Sequence, residues 1–397
     1  MAQIRGLFNF NGLLYAVRDS DLLAIDDSGT GTLVASLTSA AGPVDMAQNL
    51  TQLVITDGDF LYVWDGITLS QTANWTAGAR IAFVDQRIVG IQNGSQRFQW
   101  TALGDATSAN ALDFYSAEGS PDTLMAVLAV QRELLLLGSE TAEVWYSVGG
   151  DTVFERAQSE FIQYGCAASF SAQLVGGVPM WLGRDRNGQA RVLAGRGQRV
   201  STRAIEERFE GLDLSQAQAY TYSDGGQDFY CLNCPGVETT LVYDRTFSQW
   251  HERAELVSGE YQPWRPVCHA FAYGAHFFGD IDGSIYRLDA DAHDFAGDPK
   301  CRTRVAPVIS DPGRRRLRFP SVEVVCEKGT AANVMLRWSD DNGNTWSGWQ
   351  TTNNGLIGQY NIPLQWRRLG SAYDRVYEMR VTDAEPFNPV GAQMRIE

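Results

Sequence analysis

Cationic side chains are scarce in this sequence, and lysine is almost absent. The 397 residues include 32 Lys and Arg against 47 Asp and Glu, a formal net charge of −15, and the lysines are Lys300 and Lys328. This balance argues against general binding of the nucleic-acid backbone, which needs clustered positive charge. Long apolar runs are missing too, since none approaches the ~20 residues of a membrane-spanning helix. We therefore expect no insertion into a membrane.

The usual motifs of catalytic and metal sites are also missing. The sequence has no Gly-x-Ser-x-Gly, no phosphate-binding loop and no Gly-x-Gly-x-x-Gly after a strand. The four histidines, His251, His269, His276 and His293, show no metal-binding spacing. We therefore expect no catalytic residues, no bound metal and no cofactor, and we expect that the protein is not an enzyme.

The cysteines allow two interpretations. They are Cys166, Cys231, Cys234, Cys268, Cys301 and Cys326. The N-terminus lacks the regions of a secretory signal, so we expect synthesis in a reducing cytoplasm, where thiols stay free. Cys231 and Cys234 form a lone Cys-x-x-Cys, and the nearest further zinc ligands would be Cys268 and His269. Free buried thiols are favoured, and a zinc site is the alternative.

Strand patterns fill most of the sequence. Helical periodicity is convincing only at residues 202–209, with residues 215–219 as a second candidate. Elsewhere, apolar and polar residues alternate over short runs that are bounded by Gly, Asp, Asn and Ser. Val, Tyr, Phe and Trp are frequent in these runs, as half-buried strands prefer. The sequence therefore predicts an all-β protein.

A rough repeat of ~40 residues, the length of a four-stranded propeller blade, runs through most of the chain. Each unit has an apolar strand, a turn, a very apolar strand and a strand with an aromatic residue, as seen from Leu53, Glu133 and Phe229. Six or seven such units fit within residues 6–289. Because a closed ring of blades hides the sheet edges, we predict a β-propeller of about six blades over residues 1–295.

The pattern changes after the last repeat. Residues 296–320 are polar and irregular, which predicts a linker. In residues 321–397 apolar and polar residues alternate again, which predicts a smaller antiparallel β region. That region could dock on the propeller or complete it.

Basic residues are concentrated in the later part of the chain. Residues 300–397 hold 14 basic and 10 acidic residues, net +4, which leaves 18 and 37, net −19, for residues 1–299.

One turn in the later region fits a known pattern. Ser339, Asp341, Gly343, Thr345 and Trp346 match the Asp-box, Ser-x-Asp-x-Gly-x-Thr-Trp, at every specified position. In this pattern Asp bonds to the turn backbone, Gly takes a positive φ and Trp packs back as a hydrophobic peg. Sialidases contain Asp-boxes, but so do many non-enzymes, and no spacing singles out a Tyr–Glu nucleophile pair. We interpret the turn as a structural staple.

A compact cationic patch precedes this turn. Arg314, Arg315, Arg316 and Arg318 lie between two prolines. The patch could bind DNA phosphates, dock an acidic protein surface or simply be solvated. Because the chain is acidic and no aromatic residues are interleaved with these arginines, we favour protein docking, with DNA second. Because an acidic surface does not adhere to phosphate groups, we expect residues 1–299 to face any DNA that passes through the assembly.

Both ends of the chain contain segments that resemble one phage protein family. Residues 5–17, with the strand that ends at Asp26, look like the first blade of the tail nozzle proteins of short-tailed phages. These are also called tail accessory factors or packaged-DNA stabilisation proteins. Residues 334–346 and 369–383 look like the later region of that family, with its Trp-Ser-Asp-Asp and Arg-Val phrases.

The resemblance implies a structural virion protein without catalytic residues. The family forms a homohexameric ring below the portal and adaptor, closes the DNA channel and passes the genome at ejection. The implied partners are further copies of the chain, the adaptor or head-to-tail connector, and tail fibres or spikes. They could include a tail needle, and phage DNA would cross the channel without sequence-specific contacts. The implied location is the virion tail, after synthesis in the bacterial cytoplasm. The residues alone leave open a non-catalytic carbohydrate- or receptor-binding propeller and a sialidase-like glycoside hydrolase.

Overall fold

The computed structural model describes residues 2–76, 78–150, 152–258 and 260–397. Strands account for 54% of the structure and helices for 2%, which confirms the all-β prediction. The chain divides into two compact units, the first ending at Leu288 and the second beginning at Asp289.

The first unit is a β-propeller whose described residues form seven sheets in chain order. Blades 1 to 4 have four antiparallel strands each: β1–β4 (Ile4–Phe10, Leu13–Arg18, Asp21–Ile25, Gly31–Ser36), β5–β8 (Asp45–Gln48, Leu53–Thr56, Leu61–Trp64, Leu69–Gln71), β9–β12 (Ile81–Val84, Arg87–Ile91, Arg97–Ala102, Asp105–Ser116) and β13–β16 (Leu124–Val130, Glu133–Gly138, Ala142–Ser147, Phe154–Ile162). Blades 5 to 7 vary in strand number: β17–β21 (Gly165–Cys166, Gln173–Val175, Val178–Arg184, Ala190–Ala194, Gln198–Arg199), β22–β26 (Gln218–Asp224, Gln227–Asn233, Thr240–Asp244, Gln249–Val257, Glu260–Pro263) and β27–β29 (Pro266–Ala272, Ala275–Asp280, Ile285–Arg287).

A separate apolar core fills the space between each pair of successive blades. Between blades 1 and 2, for example, Leu22 packs in one cluster with Leu53. The last of these cores joins Phe277 of blade 7 to Leu14 of blade 1 and closes the ring. The propeller prediction is therefore confirmed. Seven blades are present in the described residues, the upper of the two counts that the repeat allowed, and the seventh has only three strands.

Helices are short in the described residues. A 3₁₀ turn covers Ser169–Ser171, and α1 covers Arg203–Glu207, with the Thr202 side chain accepting a bond from the Ile205 amide at its start. The helix predicted at residues 202–209 is thus present in shorter form. The second candidate, residues 215–219, is wrong, because a turn there leads directly into β22. None of the described helices has the length and apolar character needed to cross a bilayer.

The second unit is a β-sandwich around one core. Its larger sheet has the strand order β32-β40-β36-β37, with β33 also paired to β40, and the other main sheet has the order β38-β35-β41. Two short pairs, β30-β31 and β34-β39, complete the unit. The strands of the second unit are β30 Asp294–Phe295, β31 Asp298–Pro299, β32 Arg302–Val305, β33 Ile309–Ser310, β34 Leu317–Arg318, β35 Ser321–Cys326, β36 Asn333–Ser339, β37 Gln350–Asn353, β38 Leu364–Arg367, β39 Ser371–Ala372, β40 Asp374–Val381 and β41 Pro389–Arg395.

These strands correct the prediction of a linker at residues 296–320. β32 and β33 pair with β40, and β34 pairs with β39, so most of the segment belongs to the sandwich. The strands of this segment are short, and Pro307, Pro312 and Pro320 lie between them, where no ladder hydrogen bond is lost. The boundary between the units therefore lies at residue 289 instead of at a linker.

Candidate functional site

Side-chain hydrogen bonds hold the predicted Asp-box turn, which follows β36. Asp341 Oδ1 accepts from Ser339 Oγ at 2.7 Å and from the Thr345 amide at 2.8 Å, and its Oδ2 accepts from Thr345 Oγ1 at 2.6 Å. The Gly343 amide donates to Ser339 Oγ at 2.8 Å. Gly343 has a φ of 96°, which favours glycine. The bonds from Thr345 and Ser339 lower the pKa of Asp341 to about 2.

Trp346, which the pattern predicts as an apolar peg, packs beside a charged side chain. It is half-buried, and its ring centroid lies 4.5 Å from the guanidinium carbon of Arg337. Arg337 lies equally close, at 4.5 Å, to Trp349, whose ring is 4.8 Å from Arg380. Buried Glu378 accepts from Arg337 Nε at 2.7 Å and from Arg380 Nη2 at 3.0 Å. The turn therefore packs through cation–π contacts, and its role as a staple stays a prediction.

The two sequence motifs behind the family resemblance lie next to each other in the folded sandwich. Arg375, from the Arg-Val phrase, donates from Nε to Asp340 Oδ1 at 2.6 Å and from Nη2 to Oδ2 at 2.8 Å. Asp340 belongs to the Trp-Ser-Asp-Asp phrase. The Arg375 side chain is only 2% exposed and lies 4.5 Å from the centroid of the Phe319 ring. This bidentate pair therefore links β40 to the turn after β36.

The four predicted patch arginines all lie on the surface around β34. Arg315 binds Asp311, with both Nε and Nη2 at 3.2 Å from carboxylate oxygens. The guanidinium of Arg314 makes no hydrogen bond or ion pair within the residues that the structure describes. The other two arginines, Arg316 and Arg318, are also exposed.

Intramolecular partners restrain two of these arginines only weakly. Arg316 Nη2 donates to the Ser371 carbonyl at 3.3 Å. Arg318 lies 3.9 Å from a carboxylate oxygen of Glu397, a distance typical of a loose surface pair. All four arginines of the predicted patch are thus exposed. Its use for docking stays a prediction.

The centre of the propeller holds a cavity of about 240 Å³, lined by residues of blades 1, 2, 5, 6 and 7. Arg80, which is 3% exposed, bonds through Nε to Asp45 at 2.9 Å. It also donates to the Ser169 carbonyl at 2.6 Å and to the Ala172 carbonyl at 2.9 Å. The cavity is smaller than the ~300–1,000 Å³ of a small-molecule pocket. The bonds of Arg80, which directly precedes blade 3, join blade 2 to blade 5 across this centre.

The cysteines and histidines do not build the alternative zinc site. All six cysteines are free thiols. Cys231 lies in the core between blades 6 and 7, Cys234 in the core between blades 5 and 6, and Cys268 against a third core. Burial raises the pKa of Cys231 to about 11 and of Cys234 to about 12. His269 Nε2 lies 3.0 Å from His276 Nδ1, and burial together with this neighbour lowers the pKa of His269 to about 4.

Sequence reasoning missed the buried charges that organise both units. Arg80, Glu378 and Arg375 belong to no motif with a known chemistry. For Arg375 the sequence did contain a signal, because Arg375 and Asp340 belong to the two motifs that resemble the phage family. Arg80 gave no local signal, since Asp45 lies 35 residues earlier in the chain and the carbonyl partners lie about 90 residues later.

Family comparisons decide what kind of protein this is. The family model described as bacteriophage P22 Gp10, beta-propeller, matches residues 2–293, and the one described as bacteriophage P22 Gp10, beta-sandwich, matches residues 302–397. The chain belongs to the bacteriophage P22 Gp10 family. It is therefore a structural protein of a phage tail and a component of the virion. The resemblance noted in the sequence is confirmed.

Solved structures similar to this Gp10-family chain show low sequence identity. The Neurospora crassa Pan2 WD40 domain is 8% identical over 72% of this chain and 88% of its own, with a TM-score of 0.43. The N-terminal domain of Nup159 is 10% identical over 70% and 87%, with a TM-score of 0.42. The AfRom2 CNH domain is 10% identical over 72% and 95%, also with a TM-score of 0.42. A search of curated proteins gives no match.

Proposed function

We propose that the chain is a subunit of a ring-shaped tail nozzle, which closes the DNA channel of the virion and passes the genome at ejection. The observation that supports this most is the match of both units to the P22 Gp10 family. In this proposal six copies form the ring, the adaptor binds on one side, and fibres or spikes, with or without a needle, attach to it. The protein acts structurally, without catalysis, metal or cofactor.

The closed propeller centre constrains where DNA would pass. Because Arg80 and its partners occupy that centre, the channel of the proposed ring lies between copies and not through any one propeller. The propeller unit, up to Leu288, holds 18 basic and 33 acidic residues, net −15, and the sandwich unit holds 14 of each, net 0. An acidic wall repels DNA phosphates, so the genome could slide past without adhering.

The arginine patch is the proposed contact with neighbouring tail proteins. Arg314, Arg315, Arg316 and Arg318 present guanidinium groups to solvent, and Arg314 has no intramolecular partner within the described residues. Guanidinium groups suit fixed pairs with carboxylates at an interface. We propose that the patch binds an acidic surface of the adaptor or of another tail component.

Electron microscopy of virions tests the proposed function directly. Virions carrying a tagged copy of the chain would be labelled with gold, and detached tails would be weighed by native mass spectrometry. We expect label at the tail and a ring of six copies. Label on the head, or a single copy per tail, would contradict a nozzle. Release of sugar from bacterial surface polysaccharide by the purified chain would favour the glycoside hydrolase alternative, and glycan binding without release would favour a receptor-binding propeller.

A further inference from the structure

One end of the sandwich exposes several large apolar side chains. The 25 residues from 342 to 366 contain no Asp, Glu, Lys, Arg or His. In their midst, the loop between β37 and β38 exposes large apolar residues, of which Ile357 is 88% exposed. The apolar end is defined here as Leu356, Ile357, Tyr360, Ile362 and Val390.

Backbone hydrogen bonds bring these residues to the same end of the sandwich. After β35, the Glu327 amide donates to the Asn388 carbonyl at 3.3 Å, next to the start of β41. Two residues later the Gly329 amide donates to the Asn354 carbonyl at 3.2 Å, next to the start of the apolar loop. Val390 and the loop therefore flank one short segment of chain.

The apolar loop is fixed by the fold. Asn354 is fully buried and donates to Thr330 Oγ1 at 2.6 Å. The Tyr360 ring lies so close to Gly329 that a Cβ there would come within 2.5 Å of Cε1. The Gln359 amide donates to the Leu356 carbonyl at 2.8 Å and closes the tip. A surface that is ordered in advance loses little entropy on binding. Exposed apolar side chains with charged neighbours, here Glu327 and Lys328, have the composition of an interface core with its rim.

A second exposed apolar set lies on the far side of the same sheet. It consists of Val305, Val308 and Tyr373, termed here the receiving edge. Val305 ends β32, one edge of the larger sheet, whereas the apolar loop follows β37, the opposite edge. Two different apolar sets on opposite edges suit a head-to-tail contact between identical copies, which generates a ring when the rotation closes.

Charge favours a contact between copies at the sandwich. Two propeller units carry −15 each and repel one another, whereas two sandwich units carry no net charge. Like-charged surfaces are unfavourable partners for close docking. The neutral unit is therefore where identical chains meet at least electrostatic cost.

We propose that the apolar end of one copy docks on the receiving edge of the next copy, so that the sandwiches form the subunit contact of the ring. This inference rests on the proposed ring and adds which surfaces hold it together. The partner is a second copy of this chain. A lipid surface or a different tail protein is the competing occupant that the experiments must separate.

A charge placed at the apolar end should prevent ring formation. Ile357→Asp puts a carboxylate in the centre of the contact, and we expect a more than about tenfold loss of complete rings, counted by native mass spectrometry of tails. The matched control is Ile67→Asp, since Ile67 lies on the propeller and is 83% exposed. Rings that form normally with Ile357→Asp would overturn the inference. So would binding of the unmodified chain to lipid vesicles that Ile357→Asp abolishes without affecting rings.

Cross-linking tests the pairing of the two surfaces. The full chain carrying Ile357→Cys and Val308→Cys, assembled into tails and treated with a short bis-maleimide, should give a ladder of covalent multimers, whereas each single variant should give none. Dimers from Ile357→Cys alone would show a symmetric contact and overturn the head-to-tail arrangement. Intact rings without any ladder would overturn this inference and leave the proposed nozzle standing. Tails without a ring would overturn both.

Discussion

The propeller and the sandwich bury their strands in different ways. In the propeller, neighbouring blades cover both faces of the middle strands, so that Leu53–Thr56 and Leu61–Trp64 are buried at every position. In the sandwich, one face meets the core and the other meets solvent, so that burial alternates along Ser321–Cys326. Strands buried on both faces appear in sequence as continuous apolar runs, and half-buried strands alternate. This difference explains why a repeat was visible in the first unit and only alternation in the second.

The two units also hold their buried arginines in different ways. In the propeller, Arg80 reaches across the centre to Asp45 and to carbonyl groups of blade 5. In the sandwich, Arg375 pairs with Asp340 between aromatic rings, so that its contacts lie within one domain core. The buried arginine of the propeller thus joins blades that are not neighbours, whereas that of the sandwich joins a strand to a turn. Removing either arginine should therefore destabilise its own unit.

The largest effect is expected for Arg80→Ala. The substitution leaves Asp45 without its buried partner and removes one donor from each of two carbonyls. Breaking such a pair typically costs about 3–5 kcal/mol. Hydrogen exchange read by mass spectrometry should show faster exchange in the propeller and unchanged exchange in the sandwich. Arg203→Ala is the control, because the Arg203 pair with Glu207 is exposed and should matter little. Unchanged propeller exchange in Arg80→Ala would show that the centre is not held by this arginine.

A somewhat smaller effect is expected for Arg375→Lys, now in the sandwich. Lysine keeps the charge but cannot make the bidentate bonds to Asp340, and a lost hydrogen bond to a charged group is worth about 1.5–3 kcal/mol. Exchange should accelerate in β36 and β40 and stay unchanged in the propeller. If exchange accelerates in both units, Arg375 does not stabilise the sandwich alone.

The fold was largely predictable because its signals are local. Turn residues, strand alternation and the blade repeat each lie within about 40 residues, the span of one blade. The strands of the predicted linker were hidden because Arg302–Val305 is a short edge strand that only pairing with β40 reveals. The contact of Trp346 with Arg337 and the bonds of Arg80 depend on residues brought together by folding. No local pattern encodes such contacts.

Acid should weaken the sandwich through Asp341. Its folded pKa of about 2 lies below the ordinary value of 3.8, so the carboxylate contributes stability that is fully present above about pH 4 and is lost as the pH falls through 2. Asp341→Asn should remove this component. The unfolding midpoint of the sandwich should then change less between pH 4 and pH 2 than it does in the unmodified chain. An unaltered acid profile in Asp341→Asn would mean that the turn bonds do not stabilise the sandwich.

The smallest effect on stability, with a large effect on assembly, is expected at the arginine patch. Arg314, Arg315 and Arg316 are exposed, and the bonds of Arg315 to Asp311 are of the surface kind. Changing all three to Glu should leave the unfolding midpoint of the isolated chain unchanged, because solvent screens surface charge. If the patch docks on an acidic partner, the same change places like charges in contact and should block incorporation into virions. Incorporation is measured by blotting purified particles, with Arg203→Glu, an exposed propeller arginine, as the control. Normal incorporation of the triple variant would remove the patch as a docking surface. The contact of the chain with other tail proteins would then have to lie on another surface.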